Sequence, residues 1–364
     1  MQLRQWITLF FSIVTAVAHA VESSDSIVSR KSLFVIPQAS YQQETSVATG
    51  IAYGYYFKSK VISRISSLTG SAVYTFRNQF LFNITPRIYF NTNKWYLYSN
   101  FSLRNYPDHF YGIGNVQTAI RQAFTAQSVS LVAQPQCVLS KHLFVGMVFA
   151  TRHESVKADS TFEENKASLY TQFGSSGCKP FSVTSVGMVA AYDSRDNQFY
   201  PLQGFFAKTT LSASKAGWGS SYSLQEVSLD CRHYIPLFGT QVLAWQAYFA
   251  GIFGSKDIPF QLLPTLGGRD ALRGFRQGMY RENVLMMFQS EYRLPICKRF
   301  KAAVFCSVGD VMNSFDYQMD KLKVAYGAGL RYRLNDARVH LRLDMAKNNY
   351  GDKVQFYITA TEAF

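Results

Sequence analysis

Apolar and polar residues alternate one by one along most of the chain. The segment Gln79–Phe90 is typical: its apolar residues share one face of an extended strand, while Gln79, Asn83, Thr85 and Arg87 lie on the other. A period of two residues indicates β-strands, and helical periodicity is nearly absent from the rest of the chain. The sequence therefore predicts an all-β protein whose strands each present one apolar and one polar face.

Sixteen alternating segments can be counted, and most are separated by turns of a few residues. Long alternating segments with short turns are typical of a transmembrane antiparallel β-barrel, with the apolar face towards lipid and the polar face towards the lumen. A soluble all-β protein is the alternative. The predicted strands are residues 33–41, 46–57, 62–76, 79–90, 94–105, 118–137, 142–152, 182–194, 204–215, 221–234, 240–253, 284–295, 300–310, 322–334, 338–346 and 353–364.

The even strand number predicts that both ends of the barrel lie on one side, which is the periplasm in single-chain bacterial barrels. Connections then alternate between the two sides. This parity places the long loops 106–117, 153–181 and 254–283 on the extracellular side. The short turns 91–93 and 335–337 fall on the periplasmic side.

The first residues have the features of a secretory signal. Arg4 precedes the apolar run Trp6–Val17, which is followed by an A-x-A sequence at Ala18–Ala20. A signal anchor is the alternative. The predicted domains are a cleaved signal peptide, residues 1–20, a short periplasmic segment, residues 21–32, and an outer-membrane barrel, residues 33–364.

The net charge of +14 raises the question of a nucleic-acid partner. The basic residues are scattered singly along alternating segments, without a block or helical stripe, which disfavours nucleic acid. A polar interior or anionic lipid headgroups account for them more simply. The five cysteines have no metal-ligand spacing, and no catalytic arrangement is found. The sequence thus predicts no enzyme activity, no cofactor and no metal.

The segment Leu266–Asn283 interrupts the alternation. It contains four glycines, which permit positive φ angles, and four arginines, beside Leu, Met, Phe and Tyr residues. A long connection of this composition is expected to be ordered and functional rather than disordered.

Four motifs resemble one family, the outer-membrane assembly barrels of the BamA/TamA type, also called bacterial surface antigens. The triplet Arg273-Gly274-Phe275 is similar to the hallmark of that family's sixth extracellular loop. A D-x-R-D-N turn is formed by Asp193, Arg195, Asp196 and Asn197, with Pro201 and Gly204 after it. An upstream loop contains Pro107 and Phe110–Asn115. The closing strands contain Gly327–Arg331, Leu341–Asp344 and Glu362–Phe364.

The resemblance implies that the loop folds into the lumen and that Arg273 docks on the wall. Strand parity turns Glu291 inward beside the loop, which makes it the predicted partner of Arg273 through two hydrogen bonds. Gly274 would permit the sharp turn, and Phe275 would pack on the wall. Alternatively, Arg273 is one of several solvated loop arginines. The family's F-x-D-x-G pattern appears here with Ser307 in place of the carboxylate.

Three further residues have expected roles. Asp193 and Arg195 are predicted to form a turn-stabilising ion pair, with an acid/base role as the alternative. Phe364 is expected on the lipid-facing side of the last strand, where the resemblance implies a C-terminal recognition signal and an aromatic girdle position is the alternative. Asp344 is placed inward with His340, both explained by a wet lumen.

The expected function is assistance in inserting or moving polypeptide or lipid at the bacterial outer membrane. The expected partners are outer-membrane lipid, unfolded polypeptide, and the assembly machinery that inserts this protein as its client. The residues before Leu33 leave no room for the periplasmic POTRA domains of known assemblers. A pore-forming or structural surface barrel without client proteins is the competing class.

Overall fold

The structure is a computed structural model of the chain. It describes residues 28–42, 45–59, 65–116, 122–158, 179–254, 258–313, 321–333, 338–351, 353–359 and 362–364. The predicted signal peptide, residues 1–20, lies outside the described residues. Within this part of the chain, no helix is both long enough and apolar enough to cross a bilayer.

The described residues form a closed antiparallel barrel of sixteen strands, in which each strand pairs with its neighbours in sequence and the last pairs with the first. The strands are β1 Val28–Gln42, β2 Ser46–Ser59, β3 Ser66–Thr75, β4 Phe80–Phe90, β5 Trp95–Phe110, β6 Gln122–Val138, β7 Leu143–Ala158, β8 Phe181–Asp193, β9 Gly204–Ser214, β10 Leu224–Pro236, β11 Val242–Gly254, β12 Val284–Pro295, β13 Phe300–Met312, β14 Lys323–Arg333, β15 His340–Asn348 and β16 Gln355–Thr359. The fold class and the strand number predicted from the sequence are confirmed.

Several strand ends differ from the prediction. β1 begins at Val28 rather than at residue 33, because its polar first residues still pair with β2 up to Ser59. β5 and β7 continue to Phe110 and Ala158, beyond the predicted loop starts. Backbone pairing extends these hairpins even where the side-chain alternation has faded, as between Phe110 and Gln122.

The two faces of the wall differ sharply, as β12 illustrates. Met286 and Phe288 are exposed on the outside, whereas Gln289, Glu291 and Arg293 are completely buried on the inside. This is the reverse of a water-soluble protein, in which charged side chains are almost never fully buried. The apolar outer surface suits a lipid environment, and closure pairs the backbone groups that lipid cannot satisfy.

A charged substitution on the outer face of the barrel tests whether that face contacts lipid. We expect Phe288→Arg to lower the free energy of unfolding in lipid vesicles by about 2–4 kcal/mol, because a guanidinium inside the hydrocarbon layer is costly. Ile296→Arg is the control, because Ile296 lies in the exposed turn after β12. Urea titration of both variants measures the difference. Equal stability of the two variants would contradict a lipid-facing position for Phe288.

Candidate functional site

The loop between β11 and β12 is held in a narrow hairpin by two short strands. Thr265–Leu266 pairs with Tyr280–Arg281, and we call this pair the loop ribbon. Residues 267–279, the loop tip, turn back between its two strands. Three backbone hydrogen bonds stabilise the tip. Gly268 N–H donates to Phe275 O at 2.9 Å, Phe275 N–H donates to Leu272 O at 3.3 Å, and Met279 N–H donates to Arg276 O at 3.3 Å.

The loop contacts the interior face of the barrel through apolar side chains. Leu266, Leu272, Phe275 and Tyr280 are completely buried. They pack in one cluster against wall residues of β12, β13 and β14, which are Leu285, Met287, Val311 and Ala325. Burying an aromatic or leucine side chain contributes about 1.5–3 kcal/mol, so this cluster is a substantial anchor.

Gly274 presents its backbone directly to the last two strands. Its N–H donates to the Tyr357 hydroxyl at 3.1 Å, and its carbonyl accepts from Asn348 Nδ2 at 2.8 Å and Gln355 Nε2 at 3.0 Å. Its φ angle is +109°, in the region that favours glycine. An added Cβ would lie only 3.1 Å from Lys347 O. Glycine at position 274 therefore lets the loop tip approach β15 this closely without backbone strain or a tight contact.

Arg273 carries the central charge of the site. Its Nη1 donates to Asp344 Oδ2 at 2.6 Å, and its Nη2 lies 2.9 Å from Glu291 Oε2. The guanidinium carbon lies 3.5 Å above the centre of the Phe305 ring, a cation–π geometry. All of these charged groups are completely shielded from solvent.

Arg331 of β14 contacts the same two carboxylates from the wall. Its Nη1 donates to Asp344 Oδ1 at 2.5 Å, and its Nη2 donates to Glu291 Oε2 at 3.1 Å. Arg273, Arg331, Glu291 and Asp344 thus form a closed ring in which each arginine contacts both carboxylates. We call this ring the arginine–carboxylate cluster. It joins the loop to β12, β14 and β15.

Further charges surround the cluster. Arg293 Nε donates to Glu291 Oε1 at 2.8 Å, and Arg331 Nε donates to Glu362 Oε2 at 2.9 Å. Arg342 lies 3.4 Å from Asp344. Buried ion pairs of this kind contribute little net stability, but removing one partner typically costs about 3–5 kcal/mol because the other charge is left uncompensated.

The structure brings Arg273 and Glu291 together, with a geometry that differs from the expected one. The prediction was a single carboxylate bound by both guanidinium nitrogens, whereas each nitrogen contacts a different carboxylate. Asp344 was not assigned to the site, although its inward parity beside Arg342 was visible in the sequence. Ser307, which replaces the expected carboxylate, is buried within 3.5 Å of Gln289.

The D-x-R-D-N turn lies between β8 and β9. Asp193 accepts two hydrogen bonds from the Arg195 guanidinium, at 2.9 and 2.8 Å, and one from the Arg195 backbone N–H at 3.2 Å. Asn197 accepts backbone N–H bonds from residues 199 and 200. Burial would raise the pKa of Asp196, but hydrogen bonds from Arg338 and from the backbone N–H groups of residues 202 and 203 outweigh it and lower the pKa. These residues contact one another and shape the turn.

The expected lipid-facing position of Phe364 is wrong. Its side chain is buried and packs against Tyr234, Val242 and Ala244, which belong to the interior faces of β10 and β11. Arg293 Nη2 donates to the Phe364 carbonyl at 3.2 Å. β16 ends at Thr359, so Phe364 no longer follows the strand's alternation. The segment 362–364 instead turns inside, where Glu362 meets Arg331.

The protein is an all-β membrane barrel in which an arginine-containing loop contacts the interior face of the wall. Residues 64–364 match the model of the Omp85 superfamily domain, so the chain belongs to the Omp85 superfamily. A barrel of this type implies the bacterial outer membrane. A comparison of the sequence with curated proteins gives no significant match.

Solved structures resemble the fold. BamA from Haemophilus ducreyi lacking POTRA domains 1–3 has a TM-score of 0.63 at 15% identity, covering 91% of this chain and 70% of that one. CdiB from Acinetobacter baumannii scores 0.55 at 12% identity, with 91% and 59% covered. CdiB from Escherichia coli scores 0.56 at 9% identity, with 90% and 62% covered. This chain therefore spans about three fifths of the CdiB chains.

Loss of Glu291 tests the cluster. We expect Glu291→Ala to lower the free energy of unfolding by about 3–5 kcal/mol, because Arg273, Arg293 and Arg331 lose a shared counter-charge. Residues 254–283 should also become sensitive to protease. The control is Glu282→Ala on the same loop, where the half-buried carboxylate accepts a hydrogen bond from the adjacent Asn283 N–H. Unchanged protease sensitivity in Glu291→Ala would contradict docking through this residue.

The need for glycine at position 274 can be tested with a substitution that changes no charge. We expect Gly274→Ala to destabilise the folded barrel by more than 1 kcal/mol, since it adds both positive-φ strain and a close contact with Lys347 O. Gly217→Ala is the matched control, because a Cβ there meets open space. Thermal melting of the two variants compares them. Equal melting temperatures would show that the loop tip does not depend on close approach at position 274.

Proposed function

We propose that this Omp85 barrel assists the insertion or movement of polypeptide or lipid at the outer membrane. The proposal combines the family membership with one asymmetry of the wall. β1 pairs with β2 from Val28–Ser59 to Gln42–Ser46, whereas among the described residues β1 and β16 are in register at one position, Tyr41 with Ile358. We call the β1–β16 contact the seam.

The loop supports an opening at the seam rather than elsewhere. The loop tip contacts β12, β13, β14 and β15 through side chains, and Gly274 reaches β16 through Gln355 and Tyr357. Nearer the start of the loop, Phe260 packs on Phe110 of β5 and Phe124 of β6. None of these contacts involves β1. Separation of β1 from β16 would therefore leave the arginine–carboxylate cluster intact, while separation of any two strands from β12 to β16 would pull on it. A client segment would enter at the separated edge, where backbone groups become available for pairing.

The expected partners are outer-membrane lipid and unfolded polypeptide, and the protein is itself expected to be a client of the assembly machinery. The buried position of Phe364 bears on that last expectation. A recognition signal at residues 362–364 would be read before folding, since the folded barrel covers the side chain. We assign no enzymatic activity, cofactor or metal to the barrel.

A pore without clients is the second candidate, and one observation favours it. A space of about 550 Å³ remains between loop residues 261–265 and the interior face of β6 to β11. Its wall carries small hydroxyl side chains, including Ser130, Thr210 and Ser212, which leave room for water or a solute. A pore and an assembly factor predict different behaviour in the same liposomes.

The deciding measurement combines insertion and conductance. The purified protein is placed in liposomes, and the insertion rate of an unfolded test barrel is compared with that in empty liposomes. We expect faster insertion with only small conductance, since the loop fills part of the interior. Large, steady conductance without faster insertion would contradict the proposal and favour the pore.

A disulfide across the seam sharpens the test. Tyr41→Cys with Ile358→Cys joins β1 to β16, and we expect it to abolish the faster insertion until a reductant is added. Tyr41→Cys with Val47→Cys is the control, because Tyr41 also pairs with Val47 on β2. Both variants share one substitution and all native cysteines. Equal insertion by the oxidised pairs would show that the seam need not open.

A further inference from the structure

Two positive side chains from separate parts of the wall meet at one tyrosine ring. Arg87 of β4 lies next to Tyr98 of β5, with its guanidinium carbon 5.7 Å from the ring centre. Lys208 projects from β9, beyond β6, β7 and β8 along the wall, and its Nζ lies 5.0 Å from the same ring centre. Lys208 Nζ also donates to Gln134 Oε1 of β6 at 2.9 Å, so the side chain crosses the interior.

Neither positive group has a carboxylate within ion-pair distance among the described residues. The nearby arginines differ in this respect. Arg195 is paired with Asp193 and Arg232 with Asp230, and both stack on the Phe206 ring, at 4.4 and 5.4 Å. Lys208 is the next interior position after Phe206 on β9. The paired arginines thus stack on Phe206, one interior position along β9 from Lys208.

Within the part of the chain that the structure describes, Asp230 is the carboxylate that attracts Lys208, but it is already engaged by other partners. Its two oxygens accept three hydrogen bonds from Arg232, at 3.0, 3.1 and 2.6 Å. Gln246 Nε2 donates to it as well, at 2.8 Å. Arg87 donates only a long bond, 3.5 Å, to the Thr69 hydroxyl. Among the described residues, no carboxylate therefore forms an ion pair with Arg87 or Lys208.

We propose that Arg87 and Lys208, whose positive groups both lie close to the Tyr98 ring, form a binding site for a phosphate-class anion. Like charges held close together without a partner are unfavourable, and an anion bridging them would remove that cost. Phosphate suits the arrangement because its tetrahedral oxygens can accept hydrogen bonds from Arg87 and Lys208 at the same time. The planar guanidinium of arginine can donate two hydrogen bonds to two phosphate oxygens, and the lysine ammonium adds a second positive charge.

An open part of the lumen adjoins two of the strands that carry the site. The space of about 550 Å³ described above is lined by Val132 and Thr210. These are the next interior positions after Gln134 and Lys208 on β6 and β9. The anion would lie at the border of this space. The phosphate could be free or part of a lipid headgroup, and the site itself recognises the group they share.

Calorimetry in neutral detergent and phosphate-free buffer tests the site. One arm titrates inorganic phosphate, and the other titrates a short-chain phosphatidylglycerol below its micelle concentration. We expect saturable binding of one or both, weakened at least about tenfold in Arg87→Gln and in Lys208→Gln, as loss of a charged hydrogen bond predicts. Acetate should bind more weakly than phosphate.

Two controls keep the result interpretable. Arg338→Gln removes one positive charge from the Asp196 pair at the turn and should bind phosphate normally. Lys208→Arg keeps the charge and should retain binding if Lys208→Gln misfolds, and the shift between unheated and boiled gel samples checks folding of each variant. Binding in the phosphate arm indicates the free ion, and binding in the lipid arm alone indicates the headgroup. No binding in either arm, or equal affinity in Lys208→Gln and Arg338→Gln, would overturn the proposal.

Discussion

The arginine–carboxylate cluster determines where the loop can lie. An arginine can leave water only where its charge is compensated, and Glu291 and Asp344 provide two carboxylates at one place on the wall. Arg331 holds both carboxylates in position from β14. An apolar contact of similar size could stabilise the loop equally well. What the charges add is specificity. Any other position of the loop in the lumen would leave Arg273 buried without a partner.

Much of this arrangement follows from strand parity, which the sequence displays directly. Alternation on β12 turned Glu291 inward, and the arginine and glycine content marked the loop. Asp344 obeys the same parity, yet parity does not give distance along the barrel axis. Two inward residues of different strands meet only at a particular register. The pairing of Gly329 with Asp344 and of Glu291 with Phe305 sets that register, and it depends on turn lengths that alternation does not encode.

The same charges explain why the position predicted for residues 362–364 differs from the observed one. Alternation predicts a strand to residue 364, with Phe364 outside. The arginines of the interior outnumber the carboxylates that strands supply there, so Arg331 and Arg293 can also bind Glu362 and the Phe364 carbonyl. These interactions, together with the packing of the Phe364 ring on Tyr234, hold residues 362–364 inside the barrel. A local pattern could not reveal this, because the partners are distant in sequence.

This inward turn links the interior to the seam. A strand that ends at Thr359 offers β1 a short edge, whereas β1 itself extends from Val28 to Gln42. The arginines that bind Glu362 and Phe364 also bind Glu291, so the same charges position the loop and draw residues 362–364 away from the wall. The same interior charges thus hold both the loop and the residues that follow β16 next to the seam. On the opposite wall, no described carboxylate forms an ion pair with Arg87 or Lys208, and a space of about 550 Å³ remains between the loop and β6 to β11.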